Sequence, residues 1–142
     1  MIICKDNIFI LETKNTHYVL GVDKYGYNHH LYWGKKCNAN DYFIKEIGDE
    51  NSNHSMLDNF KQEYTPFGQT MYRGSAIKAM FSDNCREINL KFDGYTNNKN
   101  RLELNFSDKY YPLKITLKYE ISDDNDIIAR WTEIKNNGNT SI

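Results

Sequence analysis

The feature that most constrains this chain is a strict alternation of apolar and polar residues between positions 112 and 122. Lysine, threonine and glutamate fill the positions between the apolar side chains, so one face of this segment is polar and the other is not. A side-chain period of two belongs to a β-strand with one face on a core and one toward water. The apolar positions are Leu113, Ile115, Leu117, Tyr119 and Ile121.

Shorter segments repeat this strand pattern, and helical periodicity is nearly absent. Residues 93–94, 97–100 and 123–126 supply turn residues, and the acidic run 123–126 lacks the Gly and the trailing Glu of a calcium loop. Seven or more strands joined mostly by tight turns predict an all-β fold, an antiparallel sandwich of two sheets. The further strand candidates are residues 7–13, 18–23, 30–33, 88–92, 102–106 and 127–135.

Two segments depart from the strand pattern. Residues 55–63 are the helix candidate, with Ser55 as a cap and Met56, Leu57 and Phe60 on one face. Residues 35–54 are rich in Asn, Asp, Gly and Ser and form a long polar loop. A loop of this length in a compact β domain usually serves a site or an interface, or is partly disordered.

Length and charge exclude several classes of protein. The 142 residues suffice for one domain but not for a (β/α)₈ barrel, which needs about 250. With 18 basic and 19 acidic side chains the net charge is −1, so no nucleic-acid or membrane partner is expected. No apolar run approaches the roughly 20 residues that span a bilayer, and the start lacks a secretion pattern. The expected location is cytoplasmic.

Cysteine and histidine spacing gives no metal site. Cys4, Cys37 and Cys85 are odd in number and widely spaced, which predicts free, mostly buried thiols in a reducing compartment. His29 and His30 are adjacent on a strand candidate, so they face opposite sides and cannot both bind one ion. We expect one of them to be packed and one solvated. No metal and no cofactor are predicted.

Aromatic residues make up 14% of the chain and offer candidates for stacking on sugar rings. Alternation leaves one of Tyr32 and Trp33 pointing outward, and Trp131 is another candidate. Tyr64 and Phe67 lie in a segment, residues 62–73, that combines a proline, a glycine, Glu63 and Arg73. The alternative is that most of these aromatic residues belong to the core. Loops of this composition are usually retained for an interface or a site.

Three ordered stretches of the chain resemble the N-terminal domain of family 36 glycoside hydrolases, the α-galactosidases. Residues 64–68, then Tyr72-Arg73 and Ala76, are similar to that family's E-Y-P-x-x-G-x-x-D-F-R-x-P-A. Residues 16–35 resemble its T-x-Y … G-x-L-x-H-L-Y-x-G-K, and residues 117–138 its L-x-Y … D-V-I-x-R … N-x-G. Met71 and Ser75 replace the family's Asp and Pro.

The resemblance implies a fold and a place in a larger enzyme. The family's N-terminal domain is a two-sheet β-supersandwich that precedes a (β/α)₈ barrel carrying two catalytic aspartates. These hydrolyse terminal α-galactosides such as melibiose and raffinose with retention of configuration. Residues 1–142 are therefore expected to form a single β-supersandwich domain with a long loop at 35–54. The barrel is absent, and no catalytic residue is expected in this chain.

The resemblance also implies partners: the catalytic barrel of the same parent protein and, as in many members, the other copies of a homotetramer. A loop of the domain then reaches a neighbour's active site, so a galactoside substrate is an indirect partner. For Arg73 the alternative is a structural salt bridge. The candidate substrate contacts in trans are Asp49, Asn53 and Arg73, and the candidate interface or structural residues are Trp33, Tyr64, Phe67, Gly68 and Tyr72.

Two other functions remain open from the sequence. A free-standing carbohydrate-binding module would use the exposed aromatic residues. A supersandwich domain of another sugar-active enzyme, such as a phosphorylase or a mutarotase-like epimerase, is the third possibility. The epimerase would need a catalytic His and Glu facing a groove, for which His30 and Glu63 are available although no spacing supports the pairing.

Overall fold

A computed structural model describes residues 1–44, 61–69, 74–122 and 124–142 of the chain. Within these residues the secondary structure is almost entirely β, with a single turn of 3₁₀ helix at Ala39–Asp41. The strands are β1 (Ile2–Lys5), β2 (Ile8–Glu12), β3 (Thr16–Val22), β4 (Asn28–Lys35), β5 (Leu90–Asn98), β6 (Arg101–Asp108), β7 (Leu113–Ile121) and β8 (Ile128–Asn136).

The strands form two antiparallel four-stranded sheets, with orders β1-β2-β3-β4 and β5-β6-β7-β8. Leu11 and Leu20 of the first sheet and Leu104 and Leu117 of the second are at most 2% exposed and belong to one core. The sheets therefore pack face to face around a shared apolar layer. The prediction of an all-β, two-sheet antiparallel sandwich is confirmed.

Strand β7 shows why the sequence pattern was informative. Its residues alternate between buried and more exposed positions from Leu113 to Ile121, as the period of two predicts. Each of the other six strand candidates overlaps a strand of the structure. The largest difference is at β5, where pairing with β6 continues through the polar residues to Asn98. Residue Ile88, placed in a strand by the pattern, precedes β5 but is fully buried.

Strand β1 was not predicted. It pairs with β2 through a tight turn in which Asp6 and Asn7 have φ values of 50° and 59°. Two successive left-handed residues are characteristic of a type I′ hairpin turn, which Asp and Asn tolerate better than most residues. The apolar run before this Asp-Asn pair was the available signal for a hairpin.

The predicted turn at residues 93–94 is wrong. Asp93 and Gly94 lie inside β5, where the pairing with β6 shifts register between Phe92 and Gly94. Gly94 has a φ of 146°, so glycine accommodates a β-bulge there. The chain reverses later, at Lys99, whose φ is 53°.

The long loop predicted at 35–54 is described as far as residue 44. Tyr42 Oη lies 2.8 Å from His17 Nδ1, so this part of the loop contacts β3. The predicted helix at 55–63 lies outside the described residues as far as position 60. Gln62 forms an isolated bridge with His29 of β4, so the end of that segment is extended rather than helical.

All three cysteines are free, but the expectation of mostly buried thiols is wrong: Cys37 is exposed and Cys4 and Cys85 are half-buried. In the described part of the chain, no helix has the length and apolar character needed to cross a membrane.

Candidate functional site

The segment from residue 61 to 66 joins the edge strands of the two sheets. Its backbone pairs with β4, since His30 N donates to Lys61 O at 2.6 Å. On the other side, Arg130 of β8 donates from Nη2 to Glu63 O at 3.0 Å. The segment thereby places the Glu63 side chain between β4 and β8, beside the end of the core.

The carboxylate of Glu63 is held by four side chains and is 2% exposed. It accepts hydrogen bonds from Tyr18 Oη and Tyr119 Oη, each at 2.9 Å. It also pairs with Arg130 Nη1 at 3.0 Å and with His30 Nδ1 at 3.3 Å. A buried carboxylate needs such compensation, because desolvating an unpaired charge is costly.

The electrostatics keep three partners of Glu63, namely Tyr18, Tyr119 and Arg130, in their donor forms. Burial, followed by the negative charge of Glu63, raises the pKa of both Tyr18 and Tyr119, so both phenols stay protonated. Burial is the largest single effect on Arg130 and lowers its pKa, but the charge of Glu63 together with the contributions of Tyr119 and Tyr18 outweighs burial, so the pKa of Arg130 is raised. We name this set of five residues the Glu63 cluster: Glu63, Tyr18, His30, Tyr119 and Arg130.

A cleft of about 480 Å³ lies beside the Glu63 cluster, between β4 and β8. Trp33 of β4 borders it with a side chain that is 70% exposed. Ile127 and Ile128 border it at the start of β8. The remaining lining residues are Tyr18, His30, Tyr119, Arg130 and Asp126.

Asp126 links the β7–β8 turn to the first sheet. Its carboxylate accepts hydrogen bonds at 2.7 Å from Thr13 Oγ1, Asn15 N and Asn15 Nδ2. These bonds, the backbone bond from Asn15 first, lower the pKa of Asp126 to about 2. Asp126 is exposed in the predicted turn and in addition connects the two sheets.

The aromatic motif at residues 64–68 lies against the core. Tyr64 is buried, and Phe67 is 39% exposed while its backbone exchanges hydrogen bonds with Ile77 and Ile88. Gly68 has a φ of 96°, and a Cβ there would lie 2.7 Å from Glu87 Cγ and 3.2 Å from Glu87 Cα. Only glycine fits this position without strain, since both the backbone conformation and the space exclude a side chain.

The remaining candidate residues do not share one site in the structure. Trp33, rather than Tyr32, is the exposed residue of its pair, although it shares a face of the sheet with Tyr18. Trp131 points away from the cleft, beside Arg101 on the outer face of β8. Four of the predicted site residues lie outside the described part of the chain, namely Asp49, Asn53, Tyr72 and Arg73.

The two adjacent histidines have different environments. His29 is buried and its Nε2 lies 2.9 Å from Asp23 Oδ2, while the His30 side chain is 25% exposed and joins the Glu63 cluster. One is packed, as predicted, but the other is paired rather than simply solvated. Across the ranges that the structure describes, no group of three or more His, Cys, Asp or Glu residues is placed to hold a metal ion.

Sequence reasoning missed Arg130 and Tyr119 as partners of Glu63. Arg130 lies opposite Tyr119 in the β7–β8 register, on the core-facing side of the strand. A charged residue at a core-facing position of an alternating strand requires a buried counter-charge, and that was the available signal.

The two sheets and the internally compensated carboxylate define a β-sandwich module. Comparison with known protein families identifies the family to which this module belongs. The profile of the glycosyl hydrolase family 36 N-terminal domain matches residues 26–142. The chain therefore belongs to the family of glycosyl hydrolase family 36 N-terminal domains.

Longer proteins contain similar segments. The bifunctional alpha-galactosidase/sucrose kinase AgaSK of Mediterraneibacter gnavus is 28% identical over 163 residues, covering 95% of this chain and 17% of that protein. The galactosidase domain of AgaSK, at 26% identity, superposes with a TM-score of 0.86 over 99% of this chain and 24% of its own length. The alpha-galactosidase AgaB of Geobacillus stearothermophilus, at 20% identity, has the same fold with a TM-score of 0.85 over 99% of this chain and 23% of AgaB.

Proposed function

We propose that this chain is the non-catalytic N-terminal module of an α-galactosidase that hydrolyses terminal α-galactosides of the melibiose and raffinose type. Residues 1–142 act as one structural domain that supports a catalytic barrel and the assembly of a homo-oligomer in the cytoplasm. The observation that carries the proposal is the similarity of 99% of the chain to part of the galactosidase domain of AgaSK. The chain spans 17% of the length of that curated relative, so the barrel and the oligomer are parts of the proposal.

The geometry of Glu63 supports a structural rather than a catalytic role. A retaining glycosidase needs two carboxyl groups about 5 Å apart, both in reach of the sugar. Glu63 is 2% exposed and its oxygens contact Tyr18, Tyr119, Arg130 and His30. A carboxylate in this state is a poor nucleophile or general base, because any motion toward a substrate breaks these interactions.

The same geometry argues against a mutarotase-like epimerase. A general acid and a general base must each be accessible to the sugar and within hydrogen-bond reach of the atom whose proton they transfer. His30 Nδ1 and Glu63 Oε2 are instead 3.3 Å apart and paired with each other.

We also propose that the segment following β4 helps to form the substrate pocket of a neighbouring subunit. Asp49 and Asn53 supply hydrogen-bonding groups for sugar hydroxyls, and Arg73 pairs with a carboxylate across the interface. In a full-length protein carrying this chain, Asn53→Ala should raise the KM for raffinose with little change in kcat, whereas the loop control Asn40→Ala should change neither. An unchanged KM for Asn53→Ala would remove Asn53 from the proposed pocket.

The proposed lack of catalysis is tested on the chain alone. Incubated with 4-nitrophenyl α-galactoside, the 142-residue chain should release no nitrophenol above the buffer rate. Turnover by the chain alone would overturn the proposal, and its loss in Glu63→Gln, with the fold retained by circular dichroism, would assign it to Glu63.

A further inference from the structure

We propose that the cleft between β4 and β8 is a binding site for a neutral pyranoside, with the indole of Trp33 as the surface on which the sugar ring stacks. The inference concerns the chain by itself and does not depend on the proposed role beside a catalytic barrel. It rests on an exposed but oriented aromatic ring, on anchored polar groups around it, and on the balance of charge.

Trp33 has the properties of a stacking platform. Its side chain is 70% exposed, although a ring of this size is normally much more buried. It is nevertheless oriented, because its edge packs on the Tyr18 ring with centroids 6.0 Å apart, and Tyr18 donates its own hydroxyl to Glu63. An oriented ring loses little entropy when a ligand stacks on its free face.

Both apolar and polar side chains surround the Trp33 indole, which suits the C–H groups and the hydroxyls of a sugar. Ile127, which is 61% exposed, and Ile128 supply further apolar wall to the cleft. A pyranose has C–H groups that suit apolar and aromatic walls and hydroxyls that need hydrogen bonds at the rim. Binding sites for small molecules commonly combine mostly apolar walls with a few placed polar groups.

Arg130 is the principal donor in the cleft. Three hydrogen bonds, to Glu63 Oε1, Glu63 O and Tyr18 Oη, hold its guanidinium in place. A guanidinium carries five N–H groups, so these three bonds do not use its full donor capacity, and the side chain is 45% exposed. The partly exposed guanidinium is thus held at the cleft as a candidate donor to a sugar hydroxyl.

The charges favour a neutral ligand. The positive charge of Arg130 is compensated by Glu63 at 3.0 Å, while Asp126 keeps a negative charge fixed by Thr13 and Asn15. The Asp126 carboxylate can accept hydrogen bonds from sugar hydroxyls but would repel an anionic sugar.

The two tryptophans of the chain provide a matched pair for the test. Trp131 is also partly exposed but lies outside the cleft, beside Arg101. In a Trp131→Phe background the fluorescence reports on Trp33 alone. Titration with methyl α-galactoside should then give a saturable change with a Kd of about 1 mM, a value typical of weak sites.

Calorimetry with the same sugar should separate the two residues. Trp33→Ala should weaken binding about tenfold or more, which corresponds to a loss of 1.4 kcal/mol, while Trp131→Ala should bind like the unmodified chain. Galacturonate, which carries a carboxylate, should bind more weakly than methyl α-galactoside, and Asp126→Asn should reduce that difference. Because Trp33 is exposed, its replacement should leave the urea unfolding midpoint unchanged.

Three results would overturn the proposal: no saturable binding of methyl α-galactoside, equal binding by Trp33→Ala, or tighter binding of galacturonate. Self-association of the chain that Trp33→Ala abolishes, without sugar binding, would also overturn it and would identify the cleft as a contact between copies. Absence of α-galactosidase activity in the chain bears on the proposed function and leaves this inference intact.

Discussion

At the scale of single residues, Glu63 links more of the molecule than any pattern in the sequence indicated. Its carboxylate connects Tyr18 of β3, His30 of β4, Tyr119 of β7 and Arg130 of β8. The four partners come from both sheets, so the stability of the sandwich depends on one buried charge. Period-two reasoning identified the strands that carry these residues but not the charge pairing, because pairing depends on how the two sheets lie against each other.

Glu63→Gln should destabilise the chain by about 2–3 kcal/mol, less than for a fully buried pair because Arg130 is partly exposed. The amide leaves the positive charge of Arg130 without its counter-charge. Urea unfolding measures the loss. The control Glu120→Gln, which breaks the exposed pair between Glu120 and Arg101, should have a far smaller effect. Equal losses in the two variants would contradict the structural importance of Glu63.

Asp126 makes the stability of the fold sensitive to acid. Its folded pKa of about 2 lies below the ordinary value of 3.8, so its contribution is present above about pH 4 and lost as the pH falls through 2. Asp126→Asn should therefore lose less stability than the unmodified chain when the pH is lowered over this range. The control Asp124→Asn should behave like the unmodified chain, and an unchanged acid response of Asp126→Asn would contradict the assignment.

At the scale of elements, the segment 61–69 has one feature that the local sequence predicts and one that depends on the tertiary fold. The turn at Gly68 is predictable from the sequence, since a Pro and a Gly flank an aromatic residue there. The contact of Gly68 with Glu87 is not predictable from the local sequence, because it depends on how residues 74–89 return past the segment. The same division explains β5, where Gly94 was taken for a turn but forms a bulge inside a paired strand.

Gly68→Ala should destabilise the chain by about 1–3 kcal/mol, because the new Cβ meets Glu87 and the φ of 96° is strained for alanine. Thermal or urea unfolding measures this change. Gly74→Ala is the matched control, since a Cβ at Gly74 meets no atom within 4 Å. A Gly68→Ala variant as stable as Gly74→Ala would show that the segment adapts its backbone.

At the scale of the whole molecule, alternation predicted the class of fold, since each strand of a two-sheet sandwich needs only one buried face. The strands β2 to β8 were found this way, and the ordered motifs identified the family. The candidate site was less predictable. Alternation reduced the candidates to Tyr32 or Trp33 without deciding between them. The cleft beside Trp33 exists only because β4 and β8 lie at neighbouring edges of two separate sheets.

The proposed function makes the module necessary to a catalytic barrel that it does not itself contain. AgaSK offers the setting for a test, because its galactosidase domain contains a segment that superposes on 99% of this chain. Three forms of that galactosidase domain are needed: unmodified, with the segment deleted, and with the segment replaced by the present chain.

The most direct measurement is the α-galactosidase kcat of these three forms, with their oligomeric state followed by light scattering. We predict that deletion abolishes activity and assembly, and that replacement restores both. A deleted form that keeps the kcat and the oligomeric state of the unmodified domain would contradict the proposed function.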